Sequence, residues 1–163
     1  MIEAVIFDLD GTLIKLPIDY EAMSAEFKKI MKTPKIRPLL ETVAKLDLET
    51  KKQVFKVWDK FELEASGKVT PNAKGMQLYR EHSGKPRALV TMQGKAFVKT
   101  VLDRYGLCFD FVFTREDSFN RAEQLKCAVE KLKASCQNVL FVGNTEGDAL
   151  AAEEVGCSFV RVK

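Results

Sequence analysis

The sequence lacks the features by which several classes of protein are recognised. It has one histidine and four cysteines, and the cysteines show neither a C-x-x-C pair nor zinc-like spacing with the histidine, which argues against a zinc site. No apolar run approaches the roughly 18 residues that a membrane helix requires, and no basic-then-apolar leader is found. The net charge is only +3, and the basic residues are scattered. We therefore expect neither a membrane nor a nucleic acid as a partner.

Cysteine usage points to a reducing compartment. Each of Cys108, Cys127, Cys136 and Cys157 lies in or beside an apolar stretch. Such positions are typical of buried or half-buried free thiols, which persist where disulfides do not form. We therefore expect a cytoplasmic protein, and the sequence leaves its oligomeric state open.

The order of the apolar segments is more informative. Short apolar strands alternate with helical patterns over most of the chain, which is typical of an α/β protein with a doubly wound parallel sheet. The predicted strands are residues 2–7, 87–91, 109–114, 138–143 and 158–162.

One block interrupts this alternation. Residues 16–69 show helical patterning only, with Asp19 and Asp47 as predicted N-caps. We interpret this block as an inserted small α-helical cap, so that the core consists of residues 1–15 and 70–163.

The predicted strands end in polar residues that are far apart in the sequence. Asp8 and Asp10 follow the first strand, Thr91 ends the second, and the stretch GNTEGD, residues 143–148, follows the fourth. Ligands of open α/β sheets bind beyond the carboxyl ends of the strands, so we expect these residues to converge. The alternative interpretation of DLDGT is an Asp-Gly hairpin turn, which does not predict this convergence.

Asp8 and Asp10 are expected to act as a pair. Residues two apart in an extended chain point to the same side. Two like charges so close repel each other, and each tends to raise the pKa of the other. A bound cation is the usual way to offset that repulsion.

These residues resemble the motifs of the haloacid dehalogenase superfamily of phosphohydrolases, and the resemblance covers nearly the whole chain. The family's first motif, D-x-D-G-T after an apolar strand, is matched in full by residues 8–12. The fourth motif, G-D-x-x-x-D, is matched at Asp148 but carries Asn144 in place of its first carboxylate. The helical insertion stands where the members with small helical caps, including those similar to phosphoglycolate phosphatase, carry a lid.

The two other motifs are matched less fully. Thr91 stands at the second motif, where the usual following asparagine is Met92. Arg121 stands at the third motif, where the family commonly has a lysine. The resemblance implies a Rossmann-like core with a helical cap, and it leaves the departures at Met92, Arg121 and Asn144 to be explained.

The resemblance implies an aspartyl-phosphate mechanism. Asp8 would be the nucleophile, and Asp10 would protonate the leaving oxygen and then act as base on the attacking water. Thr91 and Arg121 would hold the phosphoryl oxygens. Arg115 is the alternative to Arg121 for this role.

The resemblance also implies a Mg²⁺ cofactor. Asp8, the main-chain carbonyl of Asp10, Asn144 and Asp148 would supply the protein's oxygen ligands, Asp148 directly or through water. Asn144 offers an oxygen but no charge, so we expect weak Mg²⁺ binding, with Glu146 as a candidate to restore a nearby carboxylate.

These features favour a Mg²⁺-dependent phosphatase that acts on a small phosphorylated metabolite, with phosphoglycolate as one candidate. Asp10 favours phosphate esters over halides, because dehalogenation releases no alkoxide that needs a proton. A phosphomutase and a non-catalytic phosphate- or partner-binding protein with a degraded metal site are open alternatives. Tyr20, Lys35 and Arg37 are further candidates for substrate contact, and Trp58 is expected in the core of the cap.

Overall fold

The computed structural model describes residues 1–163 and contains seven strands and seven α-helices. The strands are β1 (Ala4–Phe7), β2 (Ile14–Lys15), β3 (Thr70–Pro71), β4 (Arg87–Val90), β5 (Phe111–Phe113), β6 (Val139–Gly143) and β7 (Ser158–Arg161). The helices are α1 (Tyr20–Met31), α2 (Leu39–Ala44), α3 (Leu48–Ala65), α4 (Ala73–Glu81), α5 (Lys95–Tyr105), α6 (Arg121–Lys131) and α7 (Glu146–Val155).

Five strands form one parallel sheet in the order β5-β4-β1-β6-β7, which confirms the predicted α/β fold. β1 lies at the centre of this sheet, and all four of its residues are buried. Successive side chains of a strand point to opposite faces, so Val5 and Phe7 join one apolar cluster while Ala4 and Ile6 join another. Each face is covered by helices, as a doubly wound sheet requires.

The insertion leaves and re-enters the core through a short ribbon. β2 and β3 pair antiparallel, with Ile14 opposite Pro71 and Lys15 opposite Thr70. Between them lie α1, α2 and α3, which we call the lid. The side chains of Asp19 and Asp47 accept hydrogen bonds from the first turns of α1 and α3, which confirms both predicted N-caps.

An aromatic contact joins the lid to the core. Trp58 of α3 is 4% exposed and packs against Phe27 of α1, with ring centroids 5.8 Å apart. Its other neighbour, Phe119, comes from the loop before α6, with centroids 6.0 Å apart. Trp58 therefore belongs to an apolar cluster that continues from the lid into the core.

The prediction for the cysteines is correct for only two of the four. Cys136 and Cys157 are partly buried, whereas Cys108 and Cys127 are exposed, and all four are free thiols. Cys127 lies on the outer face of α6, whose neighbouring positions Ala128 and Val129 are the ones turned into the core. No helix combines the length and the apolar character that crossing a membrane would take.

Candidate active site

The predicted carboxylates open into one cavity of about 480 Å³ at the carboxyl edge of the sheet. Asp8 follows β1, and Asn144 and Asp148 follow β6. The lid contributes the opposite wall, with Tyr20 from α1 and Glu41 from α2. Residues remote in sequence therefore do converge, as their positions at strand ends predicted.

Asp8 is held by two donors. The Thr12 hydroxyl donates to Asp8 Oδ2 at 3.0 Å, and Arg121 Nη2 donates to Asp8 Oδ1 at 3.0 Å. Burial raises the pKa of Asp8 to about 7, with the Arg121 charge opposing that rise and the Asp148 charge adding to it. The Arg121 contact therefore favours the ionised carboxylate that a nucleophile needs.

Asp10 is bound to the start of the lid. The main-chain N–H of Leu16 donates to Asp10 Oδ1 at 2.9 Å, and the Tyr20 hydroxyl lies 3.5 Å from Asp10 Oδ2. Burial raises the pKa of Asp10, although the Leu16 and Tyr20 hydrogen bonds oppose that rise. A carboxyl group that keeps a proton is suited to general acid catalysis.

Arg121 has all three guanidinium nitrogens engaged. Besides the Asp8 contact, its Nε lies 3.0 Å from Asp148 Oδ1, and its Nη1 donates to Gln124 Oε1 at 2.9 Å. Gln124 in turn donates to the main-chain carbonyls of Thr91, Thr114 and Ser118. The guanidinium is thus held in a fixed orientation beside Asp8.

Arg115, the alternative to Arg121, lies elsewhere. It is fully buried between the core and the lid, where it pairs with Asp59 and Glu62 of α3. It does not line the cavity. The structure therefore brings Arg121, and not Arg115, to Asp8.

Asn144 faces the oxygens that a metal would share. One terminal atom of its amide lies 3.1 Å from Asp8 Oδ2 and 3.3 Å from the main-chain oxygen of Asp10. With the amide nitrogen inward, Asn144 donates to both oxygens. With the amide oxygen inward, that oxygen stands from each of the other two at about the 3 Å that separates neighbouring ligands of Mg²⁺ at bond lengths of 2.0–2.1 Å. This donor set fits a Mg²⁺ ion.

Gly11 makes room for this arrangement. Its φ is 81°, in the left-handed region, and a Cβ at this position would overlap the Asn144 amide. Glycine is therefore required here both for its conformation and for the space it leaves.

Both oxygens of Asp148, a predicted ligand directly or through water, contact protein groups in the same cavity. Its Oδ1 pairs with Arg121 Nε, and its Oδ2 accepts from the main-chain N–H groups of Asn144 and Thr145 at 3.1 Å each. The same carboxylate completes a capping box at the start of α7. No three carboxylate, histidine or cysteine side chains form a metal-binding cluster, so the candidate metal site depends on an amide and a main-chain carbonyl.

Glu146 does not restore the missing carboxylate. It turns to the surface, where its Oε2 pairs with Arg161 Nη2 at 2.5 Å. The Glu146 side chain therefore points away from Asp8 and Asn144. Its direction is set by its place at the start of helix α7.

Thr91 is the predicted site residue that does not line the cavity. It is fully buried at the end of β4, where its hydroxyl donates to Gln93 Oε1 at 2.5 Å and accepts from the Gln93 main-chain N–H at 3.1 Å. Met92 and Gln93 reach the cavity instead. A strand-end pattern locates such a residue but does not tell which way its side chain turns.

The lid supplies residues that the sequence analysis partly missed. Tyr20 lines the cavity, whereas the other two candidates, Lys35 and Arg37, line separate grooves on the lid. Leu40 and Glu41 were not predicted. The sequence does contain a signal for this wall. α2 buries Val43, and it carries two further apolar residues, Leu40 and Ala44, one turn apart on another face.

Comparisons with known proteins match this fold and these motifs. A family model described as haloacid dehalogenase-like hydrolase matches residues 2–156. A phosphoglycolate phosphatase from Vibrio cholerae is 26% identical over 185 aligned positions, which cover 96% of this chain and 82% of that protein.

Solved structures show the same fold. A haloacid dehalogenase-like family hydrolase from Streptococcus pneumoniae matches with a TM-score of 0.72 at 18% identity, covering 99% of this chain and 85% of that one. A protein described as a predicted phosphatase from Clostridium acetobutylicum matches with a TM-score of 0.73 at 17% identity, covering 100% of this chain and 85% of that one.

Proposed function

This chain belongs to the haloacid dehalogenase-like hydrolases, and on that premise we propose that it is a Mg²⁺-dependent phosphatase acting on a small phosphorylated metabolite. The observation that carries the proposal is the buried Asp8 carboxylate, held between Arg121 and Thr12 with Asp10 in the same cavity. The Vibrio cholerae relative is named a phosphoglycolate phosphatase, which supports a phosphate ester as substrate.

The reaction proceeds in two steps at Asp8. A carboxylate oxygen of Asp8 forms a bond to phosphorus while the ester bond to the leaving oxygen breaks, and Asp10 gives its proton to that oxygen. Water then attacks the aspartyl-phosphate and gives a proton to Asp10, which releases phosphate and restores Asp8. Both aspartates regain their starting protonation, so the cycle is balanced.

The remaining residues bind and orient. The charge of Arg121 favours the ionised form of Asp8 and is offered to the phosphoryl oxygens. Thr91 acts indirectly in this proposal, because its hydroxyl binds Gln93 Oε1 and so turns the Gln93 amide N–H groups towards the cavity. Asp148 orients Arg121 through its contact with Nε.

Asp8, the main-chain carbonyl of Asp10 and Asn144 are the residues that would hold Mg²⁺. When bound there, the ion supplies positive charge beside the phosphoryl oxygens. Asp148 lines the same cavity and contacts Arg121 and the main chain of Asn144, and in this proposal it positions Arg121 and reaches the ion through water rather than directly.

We propose that residues 16–69 act as the lid of this site. Tyr20 and Glu41 line the cavity from the lid side, and Asp10 is tied to Leu16 at the point where the lid begins. A lid in this position excludes water from the reacting phosphate.

One observation favours a second candidate function, a non-catalytic phosphate-binding protein. With its nitrogen inward, the Asn144 amide donates hydrogen bonds to Asp8 and Asp10 without a metal, while Arg121 pairs with the carboxylates of Asp8 and Asp148.

A phosphomutase would use the same pair of aspartates and is distinguished by its products.

The test is hydrolysis of p-nitrophenyl phosphate with Mg²⁺ and with EDTA, by the wild-type protein and by Asp8→Asn. We expect turnover with Mg²⁺ and none for Asp8→Asn. Asp103→Asn, an exposed aspartate of α5, is the matched control and keeps wild-type turnover. Phosphate binding without turnover in any Mg²⁺ concentration would favour the non-catalytic candidate.

A further inference from the structure

The cavity has two walls of different chemistry. The core wall carries the polar and charged groups that receive phosphate, among them Asp8, Arg121 and Asn144. The lid wall carries Leu40 and Ala44 of α2, and Phe119 and Met92 add further apolar surface. With the phosphoryl group at Asp8, the rest of a substrate extends towards this apolar wall.

No free positive charge faces that part of the cavity. Arg121 is the only basic residue lining it, and its nitrogens already bind Asp8, Asp148 and Gln124. Lys35 and Arg37 do not line the cavity, and Arg37 lies in a neighbouring groove that shares Tyr20 with it. Within the cavity, a substrate with a second anionic group therefore finds no free cation to pair with it.

Glu41 is the one charged residue that the lid brings to the cavity. It lies in the first turn of α2, is exposed, and takes part in none of the ion pairs of the protein. Leu40 and Ala44, the other residues that α2 contributes to the cavity, carry no charge that would offset it. Its free carboxylate is placed to attract a cation and repel an anion.

We propose that Glu41 selects phosphate esters whose leaving group is neutral or cationic and disfavours those whose leaving group carries a carboxylate, such as glycolate. The inference rests on the proposed phosphatase function and names the substrate class of that same site. The cavity volume of about 480 Å³ suits a small molecule of this kind.

The experiment compares kcat/KM for three esters that differ in the charge of a short leaving group: phosphoethanolamine, 2-hydroxyethyl phosphate and phosphoglycolate. We expect the wild-type protein to prefer phosphoethanolamine over phosphoglycolate by about tenfold or more, the effect of one like-charge and one opposite-charge contact in a partly screened cleft. Glu41→Gln should reduce this ratio towards one, and Glu41→Lys should invert it. The neutral ester should change least relative to the other two.

Glu153→Gln and Glu153→Lys are the matched controls, because Glu153 is an exposed residue of α7 that does not line the cavity. They make the same changes in net charge and should keep the wild-type ratio. A wild-type preference for phosphoglycolate, or a ratio that Glu41 and Glu153 variants change equally, would overturn the inference and leave the phosphatase proposal standing. Failure to hydrolyse p-nitrophenyl phosphate would overturn both.

Discussion

Arg115 and Glu62 form a salt bridge in which neither side chain has any exposed surface. Arg115 follows β5 in the core, whereas Glu62 lies on α3 of the lid. The guanidinium reaches both oxygens of Glu62 at 2.9 Å and Asp59 Oδ1 at 2.5 Å, and the Gly94 main-chain N–H donates to Glu62 Oε1 at 3.0 Å. The lid is therefore joined to the core by ion pairs of Arg115 with Glu62 and Asp59, and each charge would lose its partner without the others.

Gly94 is part of the same junction. A Cβ at this position would overlap Asp59 Oδ1 and approach the Arg115 guanidinium. The main chain can therefore come close enough to donate to Glu62 only because the residue is glycine.

Arg115→Met should destabilise the protein strongly. The substitution keeps much of the side-chain volume but leaves Glu62 and Asp59 buried or partly buried without their cation, which costs about 3–5 kcal/mol in the free energy of unfolding. Urea unfolding measures this loss. Arg80→Met, at an exposed position of α4, should cost less than about 0.5 kcal/mol. Equal losses for the two variants would show that the buried pair does not stabilise the lid.

Glu62 should make stability depend on pH. Burial raises its pKa from 4.5 to about 7, although Arg115 opposes the rise. The folded protein therefore binds this proton more tightly than the unfolded chain, so the contribution of Glu62 is fully present below its ordinary pKa and is lost as pH rises through about 7.

Comparison with Glu62→Gln isolates that effect, because glutamine does not titrate. Between pH 5 and pH 8 the wild-type protein should lose roughly 2–3 kcal/mol in unfolding free energy relative to Glu62→Gln. The measurement is urea unfolding of both proteins at the two pH values. A difference that stays constant with pH would mean that Glu62 titrates alike in the folded and unfolded chains.

Arg115 and Arg121 also show which features of the site the sequence does not predict. The sheet, the convergence of strand ends and the caps at Asp19 and Asp47 follow from local patterns of apolar and capping residues, and the structure agrees with them. Which arginine meets Asp8 depends on side-chain directions set by packing between elements far apart in the chain. The partner of Arg115 lies 53 residues away, and no local pattern encodes it.

The same limit applies to the site residues. Thr91 is at the predicted strand end, yet its hydroxyl turns to Gln93 rather than to the cavity. Asp148 is near Asp8 as the motif implies, but its Oδ2 takes part in the capping box of α7 and its Oδ1 pairs with Arg121. The roles proposed for these residues, and the division at residues 16–69, remain predictions that the substitutions test.

Asp10→Asn should reduce activity in a way that depends on the leaving group. An alkyl phosphate needs a proton on its leaving oxygen, which asparagine cannot give, so its kcat should fall by about a hundredfold or more. An activated aryl phosphate, such as 2,4-dinitrophenyl phosphate, leaves as a stable anion and should lose much less in the first step. Steady-state and burst kinetics on both substrates measure the two steps. Equal losses in the first step would contradict the acid role of Asp10.

Asn144→Asp is the most direct test of the metal site. The Asn144 amide lies 3.1 Å from Asp8 Oδ2, so a carboxylate there adds a negative charge beside the proposed ion. At an effective dielectric of about 20, a unit charge about 4 Å from a divalent ion contributes on the order of 8 kcal/mol before solvation, most of which desolvation cancels. A net gain of roughly 1–3 kcal/mol should lower the Mg²⁺ concentration for half-maximal activity by about tenfold to a hundredfold.

Asn144→Asp should also change the thermal stability of the protein, which can be measured without an activity assay. Without Mg²⁺ it repels Asp8 and removes the hydrogen bonds that the amide donates to Asp8 and Asp10, so Asn144→Asp should unfold at a lower temperature than the wild-type protein in EDTA. Added Mg²⁺ should then raise the Tm of the variant more than that of the wild type, because binding to the folded state stabilises it. Asp148→Asn is the contrasting variant, because the Asp148 oxygens bind Arg121 and the main chain. This variant should lower kcat while leaving the Mg²⁺ concentration dependence of activity nearly unchanged. If Asn144→Asp shifts neither the Mg²⁺ requirement nor the response of Tm to Mg²⁺, Asn144 is not a metal ligand and the Asp8–Asn144 contact serves only to satisfy the buried carboxylate.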